Sequence, residues 1–121
     1  MNGIVATAEV LVDTDVLVDH LRGARRLPPD VERLGVSVVS RCELFAGADD
    51  PQRLRRFLWP MRELAIDSTI AELAGITRRR TGIATPDALI AATALAHRIP
   101  LMTRNRRHFD RVDGLRVVTP A

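Results

Sequence analysis

The chain has no lysine, no tyrosine and a single cysteine, and aromatic residues make up only 3% of it. Each shortage excludes something. One thiol, Cys42, cannot close an internal disulfide, which fits a reducing compartment. So few aromatic rings leave no broad base-stacking platform, and the core has to be aliphatic. The apolar runs fall far short of the roughly 20 residues that a membrane-spanning helix needs, and Glu9 stands near the start with no basic stretch leading into a hydrophobic one. The expectation is a soluble, cytoplasmic protein with no membrane partner.

What is present is aliphatic and charged. Hydrophobic residues account for 46% and charged residues for 27%, a balance that suits a folded core beneath a charged surface. A length of 121 residues predicts one domain over residues 1–121. All 18 basic residues are arginine, set against 15 acids, for a formal charge of +3. The missing lysine fits the codon usage of a GC-rich genome. Whatever its origin, the planar guanidinium suits phosphate contacts, although +3 alone does not identify a nucleic-acid partner.

Short apolar runs that read as buried strands recur at residues 9–12, 35–39, 63–66, 99–102 and 115–118. Between them lie helical patterns at 15–22, 40–48, 52–59, 69–80 and 86–97, punctuated by Pro28-Pro29, Gly47, Pro51, Gly82, Pro86, Pro100 and Gly114. Strands alternating with helices predict an α/β domain around a mainly parallel sheet, where ligands bind beyond the carboxyl ends of the strands.

The acids stand at those strand ends. The stretch VDTDVLVDHLRG holds Asp13, Asp15 and Asp19 within an apolar run. Asp13 ends the first strand-like segment, where a lone carboxylate is costly to bury. Asp15 reads as a helix cap or first-turn acid, and Asp19 as the surface partner of Arg22. Glu43 follows the second strand-like run, in a Ser40-x-x-Glu43 pattern that a capping box would explain. Asp87 sits where Thr85 can cap a helix and Pro86 can open it. Taken singly, each acid has a structural explanation.

Together they suggest chemistry. A parallel sheet could bring Asp13, Glu43 and Asp87 to one edge, and unit charges about 4 Å apart repel by roughly 4 kcal/mol at an effective dielectric near 20. A hard divalent cation relieves that repulsion, and such an ion can activate water and stabilise a phosphodiester under attack. The segment LMTRNRRHFDRV adds Thr103 and Asn105 as neutral oxygen donors at a strand end, with Arg104, Arg106 and Arg107 as candidate phosphate ligands. Asn and Thr are also ordinary turn residues, and arginines in a loop are also ordinary solvated charge. His108 could act as an acid or base, but a lone histidine reads more readily as structural or exposed. Leu54, Phe57, Leu58, Trp59 and Met61 crowd one segment, as core packing or as a face for a partner.

The ordered set VDTDVLVD, SRCELFAG, TPDALIAATALA and LMTRNRRHF resembles the PIN-domain ribonucleases, in particular the VapC-type toxins of bacterial toxin–antitoxin pairs. The resemblance covers nearly the whole chain. It implies a three-layer α/β/α sandwich with a mainly parallel central sheet, Mg²⁺- or Mn²⁺-dependent cleavage of structured RNA such as tRNA or rRNA, homodimerisation, and inhibition by a cognate antitoxin. Position by position, it makes Asp13, Glu43 and Asp87 the catalytic acids, with Asp13 and Asp87 on the metal. Thr14, Asp15, Thr103, Asn105 and Asp110 become supporting residues. The last motif departs from the pattern, since many relatives carry an acid near Asn105 or His108; a weaker second metal site would follow.

Two alternatives compete. DTDVL also resembles the D-x-D-x-[TV] motif of haloacid-dehalogenase-like phosphatases, but Leu17 stands where Thr or Val is expected and the steadying lysine is missing. The other is a catalytically weak PIN-like module that binds RNA or a protein without cutting.

Overall fold

Successive residues of a strand face opposite sides of a sheet, and Leu11 and Val12 divide between the two halves of the core in that way. Both are fully buried. The computed structural model describes residues 8–120. Its elements alternate as the sequence predicts: β1 (Val10–Val12), α1 (Thr14–Leu21), β2 (Leu34–Ser37), α2 (Val38–Ala46), α3 (Pro51–Leu58), β3 (Arg62–Leu64), α4 (Ser68–Thr81), α5 (Thr85–His97), β4 (Leu101–Met102) and β5 (Val117–Val118).

The five strands form one sheet in the order β3-β2-β1-β4-β5, and all four pairings are parallel. One face is covered by α4 and α5, whose Ile70, Ala74, Ala88 and Ala91 pack with Leu11 and Leu101. Across the sheet, Val16 and Leu17 of α1, Leu44 of α2 and Leu54 and Leu58 of α3 pack on Val12, Leu34 and Val36. This is the expected α/β/α sandwich. With both faces buried, the strands need apolar residues on both sides, which is why they read as continuous hydrophobic runs. Fully burying one such aliphatic side chain contributes roughly 1.5–3 kcal/mol.

The strand order positions the site. From β1 the chain moves to β2 and β3 on one side, then crosses back to β4 on the other, so the gap beyond β1 and β4 is a topological switch point. The backbone N–H of Asp13 donates to the Met102 carbonyl at 2.8 Å, tying the two strand ends together.

Several local expectations are corrected. The second strand stops at Ser37, and Val38 and Val39 belong to α2. Ser37 caps α2, its hydroxyl accepting from the Val39 N–H, so Ser40 and Glu43 form no capping box. Ala84 occupies the cap position of α5 without a side-chain bond, and Thr85 already lies inside the helix. Asp50 and Asp67 do cap α3 and α4. In the crowded segment, Leu54, Leu58 and Met61 are core, Phe57 stacks on His20, and Trp59 is 87% exposed.

Candidate active site

Asp13 is the hinge of the site. It follows β1 directly and caps α1, so its carboxylate is fixed at both the strand end and the helix start. Oδ1 accepts from the Thr14 N–H at 2.8 Å and Oδ2 from the Thr103 hydroxyl at 2.7 Å. The residue is only 6% exposed. Burial pushes its carboxyl up to about 6; the Thr103 hydroxyl and Thr14 amide pull it down, while Asp15 and Asp87 push it further up.

Asp15, one residue into α1, faces the loop after β4. Its Oδ2 accepts from the Arg104 N–H at 3.1 Å and the Asn105 side-chain amide at 3.0 Å, with the Thr103 hydroxyl at 3.5 Å. Its other oxygen, Oδ1, is buried with no hydrogen-bond partner among the described residues. An unpaired buried carboxylate oxygen is costly in a folded protein, and it marks a place where a cation or water would be held.

Glu43 reaches the cluster from α2. Its Oε1 lies 2.6 Å from the Thr14 hydroxyl, which is itself 2.8 Å from the hydroxyl of fully buried Ser40. Thr14 has one proton to give and the carboxylate takes it, so Ser40 donates to Thr14 in the second bond. Asp87, at the start of α5, pairs with His108 Nδ1 at 3.3 Å. Burial raises its carboxyl, His108 counteracts, and Glu43 and Asp15 add to the rise. Four carboxylates, Asp13 at a strand end, Asp15 and Asp87 at helix starts and Glu43 from within α2, therefore share one electrostatic neighbourhood.

The remaining predicted residues divide. Thr103 is fully buried and Asn105 lines the cluster as a donor, whereas Asp110 is exposed and takes no part in the hydrogen bonds that link the acids. Arg104 stands beside the cluster, its Nε 3.9 Å from Asp15. Arg106 is exposed and places one terminal nitrogen 3.1 Å from the Val117 carbonyl, and Arg107 is exposed on the turn after Asn105. Asp19 overturns the expectation of a surface pair with Arg22: it is 8% exposed and forms an ion pair with Arg104 Nε at 2.9 Å. Ser40, expected in a capping box, lies instead behind Thr14, and His108, expected to be structural or exposed, is exposed and paired with Asp87. The only prior signal for Asp19 was its helical spacing from Asp15, one turn along the same edge.

Beyond this geometry, the family model of the PIN domain matches residues 10–115. The chain belongs to the PIN-domain family. Among relatives of this PIN domain, Ribonuclease VapC10 of Mycobacterium tuberculosis is 36% identical over 88% of this chain and 90% of its own length. Ribonuclease VapC19 of the same species is 34% identical over 82% and 90%. A toxin-antitoxin complex from Klebsiella pneumoniae contains a chain of the same fold, with TM-score 0.76, 34% identity, and coverage of 93% of this chain and 98% of that one. The DNA-bound VapBC of Salmonella typhimurium is alike in fold, with TM-score 0.81 at 22% identity and coverage of 93% and 98%. The phosphatase alternative finds no support here, and Leu17, its critical position, is fully buried in α1.

The donor set of this PIN domain fits a hard cation: all four acids offer oxygen, two are raised by burial and mutual repulsion, and Asp15 Oδ1 lacks a partner. Among the described residues no three His, Cys, Asp or Glu side chains already converge to hold an ion. Glu43 is turned onto Thr14, and Asp87 onto His108. Among those residues, no helix is long and apolar enough to cross a membrane.

Proposed function

We propose that this PIN domain is a VapC-type toxin that hydrolyses phosphodiester bonds in structured RNA, tRNA or rRNA, using Mg²⁺ or Mn²⁺. The observation that carries the reading is the buried carboxylate of Asp13 at the switch point, held by Thr103 and surrounded by Asp15, Glu43 and Asp87. Burial raises the carboxyls of Asp13 and Asp87, and a cation bound there would offset the cost of holding them ionised. Bound there, a divalent cation supplies the positive charge that neutralises the acids and polarises the phosphodiester and the attacking water. Asp13 and Asp87 would hold it, with the free oxygen of Asp15 beside them.

The chain's own groups do the rest. Thr103 and Thr14 keep Asp13 ionised and fixed, so no reorganisation is needed as charge develops. Glu43, exposed and receiving a proton only by hydrogen bond from Thr14, is placed to accept one from water. Arg104 and Arg107 offer guanidinium to backbone phosphates. With 3% aromatics and no tyrosine, recognition rests on backbone and shape more than on stacked bases.

The similar chain in the Klebsiella pneumoniae toxin-antitoxin complex supports an antitoxin partner for this chain. A groove between α1 and the end of α2 is lined by the apolar Val18, Leu21 and Leu44 and by the charged Arg22, Glu43 and Asp49, a mixed surface that a partner segment would cover. Homodimerisation accompanies this reading, and the exposed Trp59 indole is apolar surface that association would cover.

The test is end chemistry. The purified chain should cut structured RNA in Mg²⁺ without leaving 2′,3′-cyclic phosphate, because water and not the ribose hydroxyl attacks. Asp87→Asn should lower cleavage at least about 100-fold, the scale of losing one properly placed proton-transfer or charge-stabilising group. Cyclic phosphate ends, or an unimpaired variant, would overturn it.

A further inference from the structure

Asp19 is an acid that the proposed chemistry does not use. It lies on the last turn of α1, 8% exposed, where an unpaired carboxylate would be expensive. No ion pair joins it to Arg22 among the described residues, although that arginine is three positions away. Its partner comes from the far end of the chain, through Arg104 Nε at 2.9 Å.

The atom matters. Arg104 is held at Nε, and its two terminal nitrogens make no hydrogen bond among the described residues. Its side chain is 47% exposed while that of Asp19 is 11% exposed. The guanidinium is therefore ion-paired through Nε to a buried carboxylate, while the side chain stays half-exposed and its terminal nitrogens stay unpaired among the described residues. The backbone of the same residue is pinned as well: the Arg104 N–H donates to Asp15 Oδ2 at 3.1 Å. Neighbouring Arg106 has one terminal nitrogen on the Val117 carbonyl, with no acid ion-paired to it among the described residues.

Rigid placement changes what an arginine is worth. A free arginine loses much of its rotamer entropy when it grips a phosphate, whereas an anchored fork has lost it on folding. We propose that Asp19 is a positioning residue for substrate: through Arg104 Nε it fixes the guanidinium beside the acid cluster, so that the terminal nitrogens bind the RNA phosphate next to the scissile bond. The inference rests on the ribonuclease reading and adds to it the residue that aims the phosphate ligand.

A double-mutant cycle on RNA cleavage tests it, using the full chain and a structured RNA that the wild type cuts. Asp19→Asn should raise KM about tenfold, the scale of one charge-assisted hydrogen bond, with kcat changed far less. The salt dependence of RNA binding should fall by about one ion, as it does when one phosphate contact is lost. Arg104→Ala should do the same, and the double variant should be no worse than Arg104→Ala alone. Asp19→Glu, keeping the charge, should recover part of the loss. Additive effects in the double variant, or a lower Tm with KM and salt slope unchanged, would make Asp19 a purely structural residue. A wild type that cuts no RNA overturns the ribonuclease reading and this inference together; a wild type that cuts, matched by Asp19→Asn, overturns this inference alone.

Discussion

The hydroxyl of Thr103 donates to Asp13 Oδ2 at 2.7 Å, joining the carboxyl ends of β1 and β4 across 90 residues of chain. This one bond couples fold to chemistry, because it exists only when the crossover has brought β4 beside β1. It also orients the carboxylate at the centre of the acid cluster.

Replacing Thr103 with valine keeps the shape and removes the donor. The buried Asp13 Oδ2 would lose its partner, at a cost of roughly 1–3 kcal/mol at neutral pH. Without that hydroxyl the Asp13 carboxyl should rise above its value of about 6. Denaturant unfolding of Thr103→Val and Thr103→Ser checks this, with the serine variant expected close to wild type.

The acid cluster should make stability depend on pH with an unusual sign. The Asp13 carboxyl sits at about 6 when folded against 3.8 for the ordinary side chain. The native state therefore binds more protons than the unfolded state in that window, and stability falls as pH rises from about 4 to about 6 and then levels. Asp87, raised for the same reason, adds in the same direction. The loss attributable to Asp13 is on the order of 2–3 kcal/mol. Asp13→Asn should flatten the profile and unfold at higher denaturant than wild type at pH 7.5 without divalent cation.

Divalent cation should reverse that loss. An ion bound to the native state at about 100 times its Kd adds about 2.7 kcal/mol, which raises Tm by several degrees in a domain of this size. Mg²⁺ or Mn²⁺ should stabilise the wild type at pH 7.5, less so at pH 5 where Asp13 is protonated, and leave Asp13→Asn unmoved. Differential scanning calorimetry at the two pH values separates these cases.

The fold was legible in the sequence because strands buried on both faces are apolar runs, and because Pro and Gly stand between elements, as at Pro51 and Gly82. Asp13 stood out for a related reason, since it ends a buried run where a lone carboxylate is costly, although its capping of α1 did not show in the sequence. Boundaries were less legible. Val38 and Val39 favour strand by propensity, yet the Ser37 cap starts α2 at Val38, and capping prevails over β-branching there. The choice of partner was the least legible. Arg22 is near Asp19 in sequence, but it lies at the C-cap of α1, while Arg104 arrives from the β4 loop by way of the sheet order. His108 and Asp87 meet for the same tertiary reason.

Cleavage of an end-labelled structured RNA by the purified chain, with Mg²⁺ and with the ion chelated, for wild type and Asp13→Asn, bears on the central claim most directly. The account predicts cutting by wild type in Mg²⁺ alone and loss of at least about 100-fold in the other three conditions. Equal cutting by the two proteins, or cutting that persists after chelation, would contradict it.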